Sequence, residues 1–189
     1  MKDSLFIEKY LKDFSNIIKP EKKLIEQIIH IKNLILEIKK NKCKILIFGN
    51  GGSASISNHF SLDLTKNAKV RCVNFNDSSL ITCFANDYGF EHWIEKTIEF
   101  YSNPGDLLIL ISSSGSSKNM INAAKIAKKK NISKIITLTG FNKNNPLKKL
   151  GDVNLWINSK SYNYIENAHQ IWLLSIVDLI IGRREYFIK

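Results

Sequence analysis

Apolar residues recur along this chain in two rhythms. Over residues 21–40, Leu24, Ile28, Ile31, Ile35 and Ile38 fall at alternating steps of four and three, with Pro20 just ahead of them. That spacing draws one face of an amphipathic α-helix. A weaker repeat over residues 4–18 predicts another helix before it. The narrow stripe suits helix-on-helix packing, with another subunit as a candidate partner. The rhythm then changes. KILIF (44–48) is a short apolar run rich in β-branched residues that stops at GNGGS, which reads as a buried strand followed by a tight loop. VRCVNF (70–75), DLLILI (106–111), KIITL (134–138) and VNLWI (153–157) repeat the strand pattern, and residues 55–66, 91–101 and 117–130 carry helical patterns between them. Continuously apolar strands alternating with helices predict a mostly parallel sheet covered on both faces, a three-layer α/β sandwich. Residues 164–182 are apolar on almost every side, so the last helix is expected to be buried, with the space between subunits as a candidate place.

Composition adds boundaries to that picture. The chain has 189 residues, 44% of them hydrophobic and 24% charged. It reads as one globular domain over residues 1–189, with residues 1–40 packing in an oligomer, and neither disordered nor collagen-like. The longest membrane candidate, residues 171–181, is too short and is interrupted by Asp178. The opening MKDSLFIEKYLKDF has neither an apolar core nor a small-residue cleavage site, which argues against secretion. Cys43, Cys72 and Cys83 are odd in number and lack CxxC spacing, so the expectation is a reducing cytoplasm. The net charge of +11 would suit an anionic partner, yet the lysines are scattered and densest in helix-like stretches such as KIAKKKN (125–131). No interleaving of aromatic and basic residues marks a nucleic-acid surface, and a solvated face is the simpler reading.

The chemistry sits at two strand-to-helix junctions, Gly49-Asn50-Gly51-Gly52-Ser53 and Ser112-Ser113-Ser114-Gly115-Ser116-Ser117. Both lie at the carboxyl ends of predicted parallel strands, where open α/β sheets place ligands. Free N–H groups and the dipole of a helix N-terminus favour an anion, glycine allows close approach, and serine hydroxyls add donors. Phosphate is the natural guest. The first loop is neither GxGxxG nor GxxxxGK[ST], so ordinary dinucleotide and P-loop nucleotide binding lose support. The plainer alternative is that the serines only cap helices and the glycines only turn. His59 and Asp63 are four apart on the next helix, and Glu166 and His169 are three apart in the last one. Each pair shares a helix face and could bind a metal or move protons, although such pairs are also common as surface contacts.

GNGGSASISNHF (49–60), FANDYGFE (84–91), GDLLILISSSGSSKNMINAAKIAKKK (105–130), IITLTG (135–140) and YIENAHQ (164–170) resemble the phosphoheptose isomerases of the sugar isomerase (SIS) fold, in order and over nearly the whole chain. The resemblance implies a five-stranded flavodoxin-like parallel sheet and a homotetramer with sites built partly across subunit interfaces. It also implies isomerisation of sedoheptulose 7-phosphate to a heptose 7-phosphate for surface polysaccharide synthesis. On the matching positions, Ser112, Ser113, Ser114 and Ser117 would hold the phosphate, Asn50, Gly51 and Ser53 would contact sugar and phosphate, and Asn86 and Asp87 would lie near the sugar. The catalytic positions depart from the pattern. The family's glutamate is Asp63 here, its glutamine is Glu166, its late histidine is Leu174 and one aspartate is Asn163. His59, Asp63 and Glu166 are the remaining candidates for acid–base work, and for three ligands of a zinc ion with water as the fourth. His169 normally points elsewhere in the family. The phosphorylated sugar is therefore the expected partner. The loss at Leu174 keeps open a second expectation, a non-catalytic SIS protein that binds sugar phosphates or serves as an adaptor like the relatives that bind a replication initiator.

Overall fold

The computed structural model describes residues 2–184. Five parallel strands lie in the order β2-β1-β3-β4-β5: β1 (Ile45–Gly49), β2 (Cys72–Asn74), β3 (Leu107–Ser112), β4 (Lys134–Thr139) and β5 (Val153–Trp156). This is the flavodoxin-like order, with its switch point between β1 and β3. Side chains alternate across a strand, so each apolar run feeds two cores. Ile45, Ile47, Leu107, Ile109 and Ile111 enter one cluster, while Leu46, Phe48, Leu108 and Leu110 enter the other. α2 (Lys22–Lys40), α3 (Gly52–Lys66) and α8 (Tyr162–Ile181) cover the first cluster. α5 (Trp93–Tyr101), α6 (Lys118–Lys129) and the short α7 (Pro146–Leu150) cover the second. The expected three-layer α/β sandwich is the fold observed.

Several expectations change in detail. The strand expected over residues 70–75 shrinks to Cys72–Asn74, because an edge strand pairs on one side only and its ladder with β1 ends at Ile47↔Asn74. The narrow stripe of α2 does not need a second subunit, since Ile31, Ile35 and Ile38 are buried in the chain's own core. α8 is apolar all round, yet it buries one face and leaves Ile171 and Leu179 exposed. α1 (Lys2–Ile17) has no buried residue. Its second half is anchored by Tyr10, whose ring meets that of Tyr164 edge-on at 4.6 Å and whose carbonyl accepts a 2.9 Å bond from the Tyr164 hydroxyl. Leu5, Phe6 and Ile7 in its first half, and Leu11 beyond, are exposed to solvent. α4 (Ser78–Tyr88) is a helix the apolar pattern did not signal, because it also buries no side chain; Asp77 caps it through the Leu80 N–H at 3.0 Å.

Candidate sugar-phosphate site

The two small-residue loops meet at the carboxyl end of the sheet. β1 and β3 are hydrogen-bonded neighbours, so their following loops, 49–53 and 112–117, leave the sheet side by side. Gly51 makes the first turn with φ +55°, a left-handed conformation that glycine adopts without strain. The Asn50 and Asn119 side chains then exchange two amide bonds, of 3.1 and 2.9 Å, which tie the first loop to the start of α6. The serine loop is held from behind by Gly140 N–H donating to the Ser113 carbonyl at 2.8 Å, and Leu147 N–H donating to that of Gly115 at 2.9 Å.

Between them lies a cleft of about 100 Å³ lined by Asn50, Ser53, Ile111, Ser112, Ser113, Ser114, Ser117, Tyr162 and Glu166. The serines there are not consumed by capping. Ser117 stands at the N-cap of α6 but makes no side-chain cap bond; its hydroxyl faces that of Ser112 at 3.2 Å. The Ser113 hydroxyl is buried without a partner among the described residues. A buried, unpaired hydroxyl costs free energy unless a ligand completes it. α3 and α6 also bring the positive ends of their dipoles to the cleft, although in α3 the Ser53 and Ala54 N–H groups already donate to the Asn50 and Gly51 carbonyls, both at 3.0 Å. No lysine or arginine is among the lining residues. The cleft can therefore grip an anion of phosphate size with neutral donors, and the side of it formed by Tyr162 and Glu166 remains for the rest of the ligand.

Glu166 reaches the cleft from just after the first turn of α8. Its carboxylate packs so closely on Gly52 that a Cβ there would collide with it. Burial pushes its carboxyl above the usual range, which favours the protonated form. His59 and Asp63 lie elsewhere. They pair with each other on α3, Nε2 to Oδ2 at 3.2 Å, and do not line the cleft. Asp63 is ten residues beyond Ser53, about 15 Å along the helix axis.

Residues 9–140 match the SIS domain family. The chain belongs to that family. Among SIS proteins, the phosphoheptose isomerase of Aliarcobacter butzleri is 33% identical over 183 residues, covering 94% of this chain and 96% of that protein. The phosphoheptose isomerase of Buchnera aphidicola from Acyrthosiphon pisum is 35% identical over 180 residues, with 93% and 90% covered. The solved phosphoheptose isomerase GmhA from Neisseria gonorrhoeae superposes with a TM-score of 0.86 at 30% identity, covering 94% of this chain and 98% of that one.

The fold brings together part of the site expected from the sequence. Asn50, Ser53, Ser112, Ser113, Ser114, Ser117 and Glu166 converge, and Gly51 shapes the loop without lining the cleft. Asn86 and Asp87 do not converge: they lie exposed on α4, bonded to each other at 2.9 Å. Asn163 is exposed, and Leu174 is partly buried on α8. His169 is fully buried, its Nε2 3.3 Å from the Thr139 carbonyl oxygen. Burial lowers its pKa to about 4, against an opposing contribution from that carbonyl, so it is a neutral core residue. The zinc expectation meets the same separation. Among the described residues no three His, Cys, Asp or Glu side chains are grouped to hold a metal. The set His59, Asp63 and Glu166 is thus not gathered within the chain, because the first two sit far along α3 from the end where the third packs.

The structure also brings in residues that the sequence reading passed over. Tyr162 lines the cleft and Asn119 locks the first loop. Gln170 reaches from α8 to His59, amide Nε2 to Nδ1 at 3.3 Å. Asn119 stands two residues after Ser117, a spacing that could have flagged it. A tyrosine and a glutamine on a helix carry no such signal.

Proposed function

We propose that this chain is an aldose–ketose isomerase of a phosphorylated sugar, converting sedoheptulose 7-phosphate to a heptose 7-phosphate for surface polysaccharide synthesis. The observation that carries the reading is the cleft where both loops meet, with serine hydroxyls and helix N-termini left over for a phosphate. Its likeness over nearly its full length to proteins named phosphoheptose isomerase supports the substrate.

In this reading the serines and the amides of α3 and α6 hold the phosphate and fix the sugar chain. A carboxylate takes the proton from the carbon next to the carbonyl. The C–H electron pair forms the C=C bond of a cis-enediol as the carbonyl π pair moves to its oxygen, which takes a proton. The former carbonyl carbon then takes the proton back from the carboxyl while the other enediol hydroxyl gives up its own to the oxygen-side donor, leaving the aldehyde. Asp63 is the base. Glu166, which lines the cleft and whose carboxyl is shifted upward by burial, is the donor to the oxygen. The protein works as a homotetramer in the cytoplasm, with the His59–Asp63 pair serving a cleft completed across a subunit interface. The pair's flanks support this: Leu62 beside Asp63 and Ile171 beside Gln170 are both exposed apolar residues.

The second reading, a sugar-phosphate-binding SIS protein without turnover, rests on Leu174, which cannot exchange protons. A panel of C5 to C7 ketose phosphates, followed for isomerisation and for solvent deuterium uptake next to the carbonyl, separates the two. Uptake without net product still supports the isomerase. Binding with neither uptake nor product supports the adaptor.

A further inference from the structure

We propose that Gln170 is a positioning residue that fixes the ring tautomer of His59 and, through it, the Asp63 carboxylate. An amide nitrogen has only hydrogens to offer. With Gln170 Nε2 facing His59 Nδ1 at 3.3 Å, Nδ1 presents its lone pair and the ring proton resides on Nε2. That nitrogen is 3.2 Å from Asp63 Oδ2, so His59 donates to it. Asp63 Oδ1 accepts a second bond from Asn67 Nδ2 at 3.2 Å. Donors therefore run in one direction, from Gln170 through His59 and from Asn67, and both end on the two oxygens of one carboxylate. Side-chain partners that fix a histidine tautomer act in this way in other sites, by orienting the ring and holding its neighbour.

The contact joins α3 to α8, adding a polar link to helices that also share the apolar cluster containing Phe60 and Leu173. Leu174, one turn after Gln170 on the same face, offers no donor, so on this stretch of α8 the N–H directed at His59 comes from Gln170. Its chemical consequence rests on the isomerase reading. With Nε2 already protonated, His59 does not remove a proton that Asp63 has taken from the sugar. The proton stays on the carboxyl until the enediol carbon takes it back, which suits a reaction that moves one proton between adjacent carbons.

The test uses the full chain with 15N-labelled histidine, His59 being assigned by its loss in His59→Gln. At neutral pH the wild-type ring is expected to show a bare Nδ1 and a protonated Nε2. Gln170→Glu, whose carboxylate only accepts, should protonate both nitrogens. Gln170→Leu should release the ring to a mixture of tautomers while leaving the folded spectrum otherwise intact. In Gln170→Leu, kcat should fall about tenfold, the rate equivalent of one net hydrogen bond, with KM within about twofold. A wild-type ring protonated on Nδ1, or one tautomer throughout all three proteins, overturns the proposal. So does an altered tautomer with unchanged kcat. If the wild type turns over no sugar phosphate, the isomerase reading fails, and the ring spectra alone decide whether Gln170 orients His59.

Discussion

Replacing His169 by phenylalanine should remove a specific part of the protein's acid sensitivity. The ring is fully buried and its pKa falls from the ordinary 6.5 to about 4, chiefly through desolvation. Below 6.5 the unfolded chain binds a proton at this position, whereas the folded chain does not until about 4. Unfolding therefore takes up a proton, and stability is lost as pH drops through that window. Using those two values, the loss between pH 7 and pH 5 is about 2 kcal/mol, or about thirtyfold in the folding constant. Phenylalanine cannot titrate. It forgoes the bond to the Thr139 carbonyl, which still accepts from Ile157 N–H at 3.0 Å, and it removes a buried Nδ1 that has no partner among the described residues. These two effects are each about 1 kcal/mol in opposite directions, so stability at pH 7 should change little. Urea unfolding at pH 7 and pH 5, at one fixed protein concentration because subunit assembly would also contribute, gives both differences. The wild type should lose about 2 kcal/mol more than His169→Phe on acidification. Equal losses would show that His169 is not a buried neutral residue, and would reopen it as a proton carrier.

Other outcomes follow from the cleft and the surface. Phosphorylated sugars should raise the melting temperature where unphosphorylated ones do not, and Ser114→Ala with Ser117→Ala should weaken that binding by about a hundredfold or more, at about 1.5 kcal/mol or more per charge-assisted bond, as read by calorimetry. Gly52→Ala should fold, since the group in the way is a side chain able to swing aside, but it should displace Glu166 and lower turnover; unchanged kinetics would remove Glu166 from the site. Asp63→Asn should abolish solvent deuterium exchange while leaving phosphate-dependent stabilisation in place, and exchange that survived would transfer the role of base to Glu166. Sedimentation at micromolar concentration should give a mass well above 21.6 kDa, because α1 leaves Leu5, Phe6, Ile7 and Leu11 uncovered; a stable monomer would contradict the shared site.

The sequence by itself determined the parallel sheet and the two small-residue loops at its carboxyl end. A strand buried on both faces must be apolar at every position, as LLILIS of β3 is, and a loop that meets an anion closely needs glycine and small donors; both demands are local and leave a mark in consecutive residues. It did not disclose α4, which buries no side chain fully and touches the core only through the partly buried Leu80, Ile81 and Phe84. Nor did it assign the stripe of α2 to the chain's own sheet, since periodicity gives the width of an apolar face and not what covers it. Only the tertiary structure decided which polar residues meet. His59 and Asp63 are four apart and Glu166 and His169 are three apart in sequence, yet the fold pairs the first two, sends Glu166 to the cleft against Gly52 and buries His169 in the core. The link from Gln170 to His59 spans 111 positions. Spacing along a helix fixes only the direction in which a side chain leaves it, and what lies in that direction depends on how α3, α8 and the sheet pack together.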